Sequence, residues 1–436
     1  MKTTRRMFLK HGGIALASVG LLASEGPEFL RRAAYAMAPA RDEKKAGGKK
    51  TLICIFQRGA VDGMSMVVPH GDKDYYNYRP AGGIAIPNTG NGSTLDLDGF
   101  FGLHPALAPL KPIYDAGQLA PIQAVGSPNG TRSHFDAQDF MESGVIGDKA
   151  IKGGWLARAL ANCPEDKARR GNPLRGLAVT NQLPRSLQGF ADAVAIPDLK
   201  TFGVGATSGS SGSSAAQTTA GAFEALYNHA TGDTLHGAGE DLFAAMKRLD
   251  AIRAERYVPA NGAQYPRGRF GDSLQQAAQL IKSEVGVEIA FADVGGWDTH
   301  VNQGGAQGQL ATRLTEFGAG LAALYKDLGD RMDDVVILTM TEFGRTARQN
   351  GNNGTDHGHA TCFFALGGPV NGGKVLGQWP GLAMEQLYEK RDLALTTDFR
   401  DVFGEIASKH LGITNLNAVF PGYSGKPEAF RGVVKG

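Results

Sequence analysis

Cysteine is scarce. Cys54, Cys163 and Cys362 are spread over 436 residues, and no Cys-x-x-Cys pair occurs. Three distant thiols make a poor disulfide framework, and unpaired cysteines exclude a cysteine zinc knuckle. Cys54 and Cys362 sit in apolar runs and read as core. An excess of one charge is also missing, since the formal net charge is +2. Residues 1–38 hold Lys2, Arg5, Arg6, Lys10, Arg31 and Arg32 against Glu25 and Glu28, a net of +4, which leaves −2 for the rest. A near-neutral chain gives no electrostatic case for a nucleic-acid partner. The apolar stretch from Gly12 to Ala23 is too short and too rich in Gly and Ala for a stable membrane span. Glycine, by contrast, is abundant at 61 residues, which suits many sharp loops between strands and helices.

What the first residues do contain is specific. Thr4 to Lys10, TRRMFLK, matches the twin-arginine export pattern in full, and the short apolar stretch follows it. Ala34, Ala36 and Ala38 offer A-x-A sites, so cleavage is expected after Ala36 or Ala38. The expectation is a twin-arginine signal peptide over 1–38 and a polar tether over 39–49. The twin-arginine translocase would be a partner, and the mature protein would be periplasmic or extracellular. Scarce cysteine agrees with folding in a reducing cytoplasm before export.

Residues 50–436 read as a single α/β domain. Apolar runs over 51–56, 119–125, 174–179, 285–292, 335–341 and 361–366 are continuous rather than alternating, as in strands covered on both faces. Helical patterns lie over 135–143, 155–161, 222–230, 242–257, 273–284, 310–328 and 399–411. Alternation of strands and helices predicts a mainly parallel, doubly wound sheet flanked by helices. Residues 203–221 are low in complexity and read as a flexible insertion.

Ligands of open α/β sheets gather at the carboxyl ends of the strands. Those positions are unusually polar here: RGAVDG (58–63), TRSHFDAQD (131–139), GGWDTH (295–300) and EFGR (342–345), with GTDHGH (354–359) just before the sixth strand. In extended backbone, residues two apart share a side. Asp298 with His300, and His357 with His359, could each present two ligands to one ion. Carboxylate plus imidazole suits a transition-series divalent metal. Ser133 stands at a predicted helix start. It could be a nucleophile, or the cap of a Ser133-x-x-Asp136 capping box. Arg132 and Arg345 could clamp an oxyanion. Trp155 and Trp297 read as packing.

Seven blocks carry a resemblance. FQRGAVDG (56–63), GLHPA (102–106), TRSHFDAQD (131–139), GGWDTH (295–300), TEFGRT (341–346), GTDHGH (354–359) and TDFR (397–400) resemble the DUF1501 family of exported bacterial proteins. That family is grouped with the alkaline phosphatase and sulfatase superfamily. The resemblance implies an alkaline phosphatase-like fold holding one or two divalent ions, zinc or manganese. It implies a metal-dependent hydrolase of phosphate or sulfate esters, with a small-molecule or polymer substrate. Asp62, Asp298, His300, Glu342, Asp356, His357 and His359 would supply the ligands, and Ser133 the nucleophile, with Thr131 as runner-up. The superfamily has adjacent Asp and His after its penultimate core strand, where this chain has Glu342 and Phe343. Phe343 cannot replace a histidine, and this departure suits a competing reading as a non-catalytic envelope binding protein. The cysteine signature of formylglycine sulfatases, Cys-x-Pro-x-Arg, is absent: Cys163 is followed directly by Pro164.

Overall fold

A computed structural model describes residues 50–164, 173–189, 193–202, 249–423, 425 and 427–436. The expected leader, the tether, the 203–221 insertion and the 222–230 helix lie outside them.

An eight-stranded mixed sheet forms the centre. Its strands are β1 (Thr51–Gln57), β2 (Leu119–Gly126), β3 (Gly176–Ala178), β4 (Ala193–Ala195), β5 (Ile289–Val294), β6 (Val335–Met340), β7 (Thr361–Leu366) and β8 (Thr397–Asp398), in the order β8-β2-β7-β6-β1-β5-β3-β4. Side chains of β1 divide between two cores. Ile53 and Ile55 face one, while Leu52, Cys54 and Phe56 face the other. That two-sided burial is why the strand reads as one apolar run. Helices α3 (Arg269–Lys282) and α4 (Gln309–Leu328) cover the first face, through residues such as Leu274 and Leu314. Helices α1 (His134–Ser143), α2 (Trp155–Asn162) and α5 (Phe399–Glu405) cover the second, where Trp155 stacks on Phe403 with ring centroids 4.6 Å apart. The sheet is thus mainly parallel and covered on both sides, as the alternation predicted. Trp155 and Trp297 are both fully buried. Among the described residues, no helix is long and apolar enough to cross a membrane.

The exception to parallel order matters most. β7 runs antiparallel to both its neighbours, β2 and β6. Its start therefore lies at the edge where the parallel strands end. The loop before β7 thereby joins the loops that follow β1, β5 and β6. Two further differences are local. The strand expected over 285–292 begins only at Ile289, because Glu284 and Gly286 take left-handed backbone, at φ of 55° and 94°. The edge strands β4 and β8 are too short to leave a pattern in the sequence.

The chain beyond α5 makes a π-helical turn, Ile406–His410, that is tied to the start of β1. His410 is buried, and its Nε2 donates to the Thr51 carbonyl at 2.9 Å. No acceptor among the described residues reaches its Nδ1. Protonation would place a second N–H there in an apolar site, and burial pushes the imidazole down to about 4. The folded value lies below the unfolded value near 6.5, so above that pH both states are neutral. As pH falls from about 6.5 to about 4, the unfolded chain takes a proton that the folded chain refuses, and stability drops by about 2–3 kcal/mol. His410→Gln keeps a donor and cannot titrate. Its urea-unfolding free energy should fall less between pH 7 and 4.5, by roughly that amount. Equal losses in both proteins would refute the assignment.

Candidate metal centre

Five segments meet at the edge where the parallel strands end. β1 runs into Gly59, whose N–H donates to Glu342 Oε1 at 2.9 Å. Gly59 has φ of 117°, and a Cβ there would stand 2.9 Å from the Asp298 backbone nitrogen, so the approach needs glycine. The loop after β5 carries Asp298 and His300, and Glu342 follows β6. The first turn of α1 carries His134. The loop before β7 carries Asp356 and His357.

Three imidazoles point their Nε2 atoms inward. His357 Nε2 lies 3.1 Å from His134 Nε2 and 3.0 Å from His300 Nε2. The Asp298 carboxylate closes the group. Its Oδ1 is 3.0 Å from His300 Nε2 and 3.2 Å from His357 Nε2, and its Oδ2 is 3.8 Å from His134 Nε2. One ligand atom each from His134, Asp298 and His357 lie mutually within 4.8 Å, a grouping able to hold a metal ion. His300 borders two of those three.

Each inward nitrogen is matched by an outward one held by an acceptor. His134 Nδ1 meets Glu342 Oε1 at 2.8 Å, His300 Nδ1 meets Asp356 Oδ1 at 3.1 Å, and His357 Nδ1 meets the Arg132 carbonyl at 3.0 Å. An acceptor outside fixes the proton on Nδ1 and leaves the Nε2 lone pair facing the centre. Lone pairs facing each other at 3 Å repel, and a cation between them removes that repulsion. Tetrahedral ligands at zinc–nitrogen bond lengths would stand roughly 3.3 Å apart, close to the spacings here.

Electrostatics point the same way. Burial alone would raise Asp298, but Arg345, donating to its Oδ1, holds the carboxyl below the ordinary range. Burial would likewise raise Glu342, and hydrogen bonds from His134, Gln138 and Thr341 bring it below the ordinary value. Asp356 is lowered too: bonds from Asn350 and His300 outweigh its burial. The Glu342 contact raises His134, whereas burial lowers His357. Three anionic carboxylates therefore surround the imidazoles, with the buried guanidinium of Arg345 paired to one of them.

A profile described as "Protein of unknown function (DUF1501)" matches residues 49–420. The chain belongs to the DUF1501 family. A sulfatase from Pseudoalteromonas sp. is similar in its crystal structure, at 11% identity and a TM-score of 0.37, covering 93% of this chain and 72% of that one. No curated protein matches the chain.

Not every expected residue reaches the centre of this DUF1501 chain. Asp298, His300, Glu342, Asp356 and His357 do meet there, with Glu342 and Asp356 behind the histidines rather than in front. Asp62 does not join them. Its carboxylate is fully buried and taken up by Arg79, Ser65 and Gln303. His359 does not either. The chain bends at this residue, so the alternation expected of His357 and His359 fails, and the buried ring stacks on Tyr388 with centroids 4.2 Å apart. Gly358 between them admits no side chain, since a Cβ would lie 2.4 Å from the Arg345 backbone.

The expected oxyanion clamp is also engaged elsewhere. Arg132 pairs with Asp392 at 2.6 Å and with Glu389 at 2.7 Å. Arg345 is buried and donates to the carbonyls of Gly59, Ala60, Trp297 and Thr355 besides Asp298. It orients the Asp298 carboxylate and has no surface to offer an anion. Ser133 caps α1, its hydroxyl accepting from the Asp136 N–H at 3.5 Å, while Thr131 Oγ1 accepts from the Ser133 N–H.

His134 was missed as a ligand candidate. Its signal was present, because His134 and Gln138 are four apart on one helix and both reach Glu342. His134 also packs against Phe343. The imidazole lies 4.9 Å from the Phe343 ring, which itself packs 5.1 Å from His357.

Proposed function

We propose that this chain is a metal-dependent hydrolase of phosphate or sulfate esters, with His134, Asp298, His300 and His357 as the ligands of one divalent ion, zinc or manganese. One observation carries the reading: three histidines present Nε2 to a common point beside a carboxylate, and each is held from behind by an acceptor. A divalent ion there would supply Lewis acidity toward an ester oxygen and make water easier to deprotonate. Glu342 and Asp356 hold the Nδ1 side of His134 and His300 and so turn Nε2 toward the centre, Arg345 keeps Asp298 ionised and aimed, and Phe343 packs against the rings of His134 and His357. Residues 4–10 support export, so this chemistry would take place outside the cytoplasm.

In this reading Ser133 is a helix cap. Metal content, measured on protein purified without chelator or added metal, should approach one equivalent. Turnover of aryl phosphates and aryl sulfates should follow it. Ser133→Ala should lose about 0.5–2 kcal/mol of stability and keep its activity per folded molecule. Lost turnover with intact metal and fold would make Ser133 the nucleophile. Absence of both metal and turnover in the wild type would favour the envelope binding protein instead.

A further inference from the structure

Behind the histidine cluster lies a second polar group that none of the expected roles explains. Asp62, Ser65, Arg79, Gln303 and Thr355 are fully buried, and Thr299 is nearly so. Arg79 grips Asp62 with two parallel bonds, Nη1 to Oδ2 at 2.7 Å and Nη2 to Oδ1 at 2.9 Å. Gln303 Nε2 donates to Asp62 Oδ2 at 2.7 Å. Its Oε1 accepts from both Thr299 Oγ1 and Thr355 Oγ1, each at 2.8 Å. The orientation of that amide is forced, because an ionised carboxylate only accepts and the two hydroxyls must then donate.

The positions of the two threonines are informative. Thr299 stands between Asp298 and His300. Thr355 directly precedes Asp356 and His357, and its N–H donates to the Thr299 carbonyl at 3.2 Å. On the other side, Arg79 donates to the carbonyls of Thr346 and Ala347, both at 3.1 Å, just past Arg345. One network thus holds the backbone beside Asp298, His300, Arg345, Asp356 and His357. A buried ion pair gives weak net stability compared with well-packed apolar residues, so stability alone is a poor reason for it. Fixing geometry in two loops without regular secondary structure is a better one.

We infer that Gln303, anchored on the Asp62–Arg79 pair, is a positioning residue that sets the spacing between the Asp298–His300 loop and the Asp356–His357 loop. The inference rests on the metal-site reading above. Supporting groups around metal ligands commonly carry 10–100-fold in affinity.

The test uses the full chain and Zn(II), titrated in competition with a chromogenic chelator, with the visible spectrum of the Co(II) form as a second readout. Thr299→Val with Thr355→Val keeps shape and leaves the ion pair intact. It should weaken Zn(II) about tenfold or more and shift the Co(II) bands, while the metal-free protein still unfolds cooperatively. Thr355→Ser, which keeps the hydroxyl, should restore most of the affinity to Thr355→Val. If the double variant does not fold, Thr355→Val alone decides by the same two readouts. Wild-type affinity and an unshifted spectrum in a folded variant would overturn the positioning role and leave the metal site standing. A wild type that binds no Zn(II) or Co(II) would overturn both.

Discussion

His357→Ala should cost the protein its metal and its turnover together. His357 Nε2 touches His134 Nε2, His300 Nε2 and Asp298 Oδ1, so its removal opens the middle of the cluster rather than one side. Loss of a ligand exceeds the loss of a supporting group, so affinity should drop by more than about 100-fold. The fold should be little affected. The His357 side chain is 23% exposed, and the Phe343 ring beside it stays packed against His134 when His357 is removed. Equilibrium dialysis followed by elemental analysis reads the result directly. His359→Ala is the matched control: that imidazole is buried against Tyr388, with burial and the nearby Arg132 pushing it down to about 4. It should retain metal and lose stability instead. Equal metal content in His357→Ala and wild type would end the proposal.

Much of this site was legible, for a physical reason. Strands buried on both faces leave unbroken apolar runs, and the polar residues that end them stand out. Asp298, His300, Glu342 and His357 were all found that way. Reading strand ends could not reveal that β7 is reversed, because an apolar run carries no direction. The loop before β7 reaches the site only through that reversal. Nor could it separate the groups that face the common point from those that stand behind them. Glu342 and Asp356 are as acidic as Asp298, and only the side of the imidazole they face distinguishes them. His134 was hidden by its neighbour, since a serine at a helix start drew the functional reading onto itself. His359 was drawn in by an assumption of extended backbone that a bend removes. Arg345 was expected to clamp an oxyanion, yet five carbonyl and carboxylate acceptors hold it inside.

Asp62 gives the sharpest contrast between a resemblance and a geometry. Had it been a ligand, Asp62→Ala would strip the metal and leave a stable fold. Its surroundings argue for the reverse. Burial alone would raise the carboxyl, but Arg79, and after it Ser65 and Gln303, hold it below the ordinary range. Arg79 has no exposed surface, and among the described residues no other carboxylate is bonded to it. Removing Asp62 therefore leaves a guanidinium charge uncompensated in the interior, at a cost of about 3–5 kcal/mol. That is a large part of the roughly 5–15 kcal/mol that separates native from unfolded domains. Asp62→Ala should express poorly or unfold at much lower denaturant. Asp62→Leu combined with Arg79→Met removes both charges and should recover most of the loss. The recovered protein also separates stability from positioning. With the fold restored and the Gln303 amide cut off from its anchor, Zn(II) should still bind more weakly than in the wild type. Asp62→Ala with wild-type stability would show that Arg79 has another partner. A double variant with both stability and Zn(II) affinity fully restored would reduce the pair to packing.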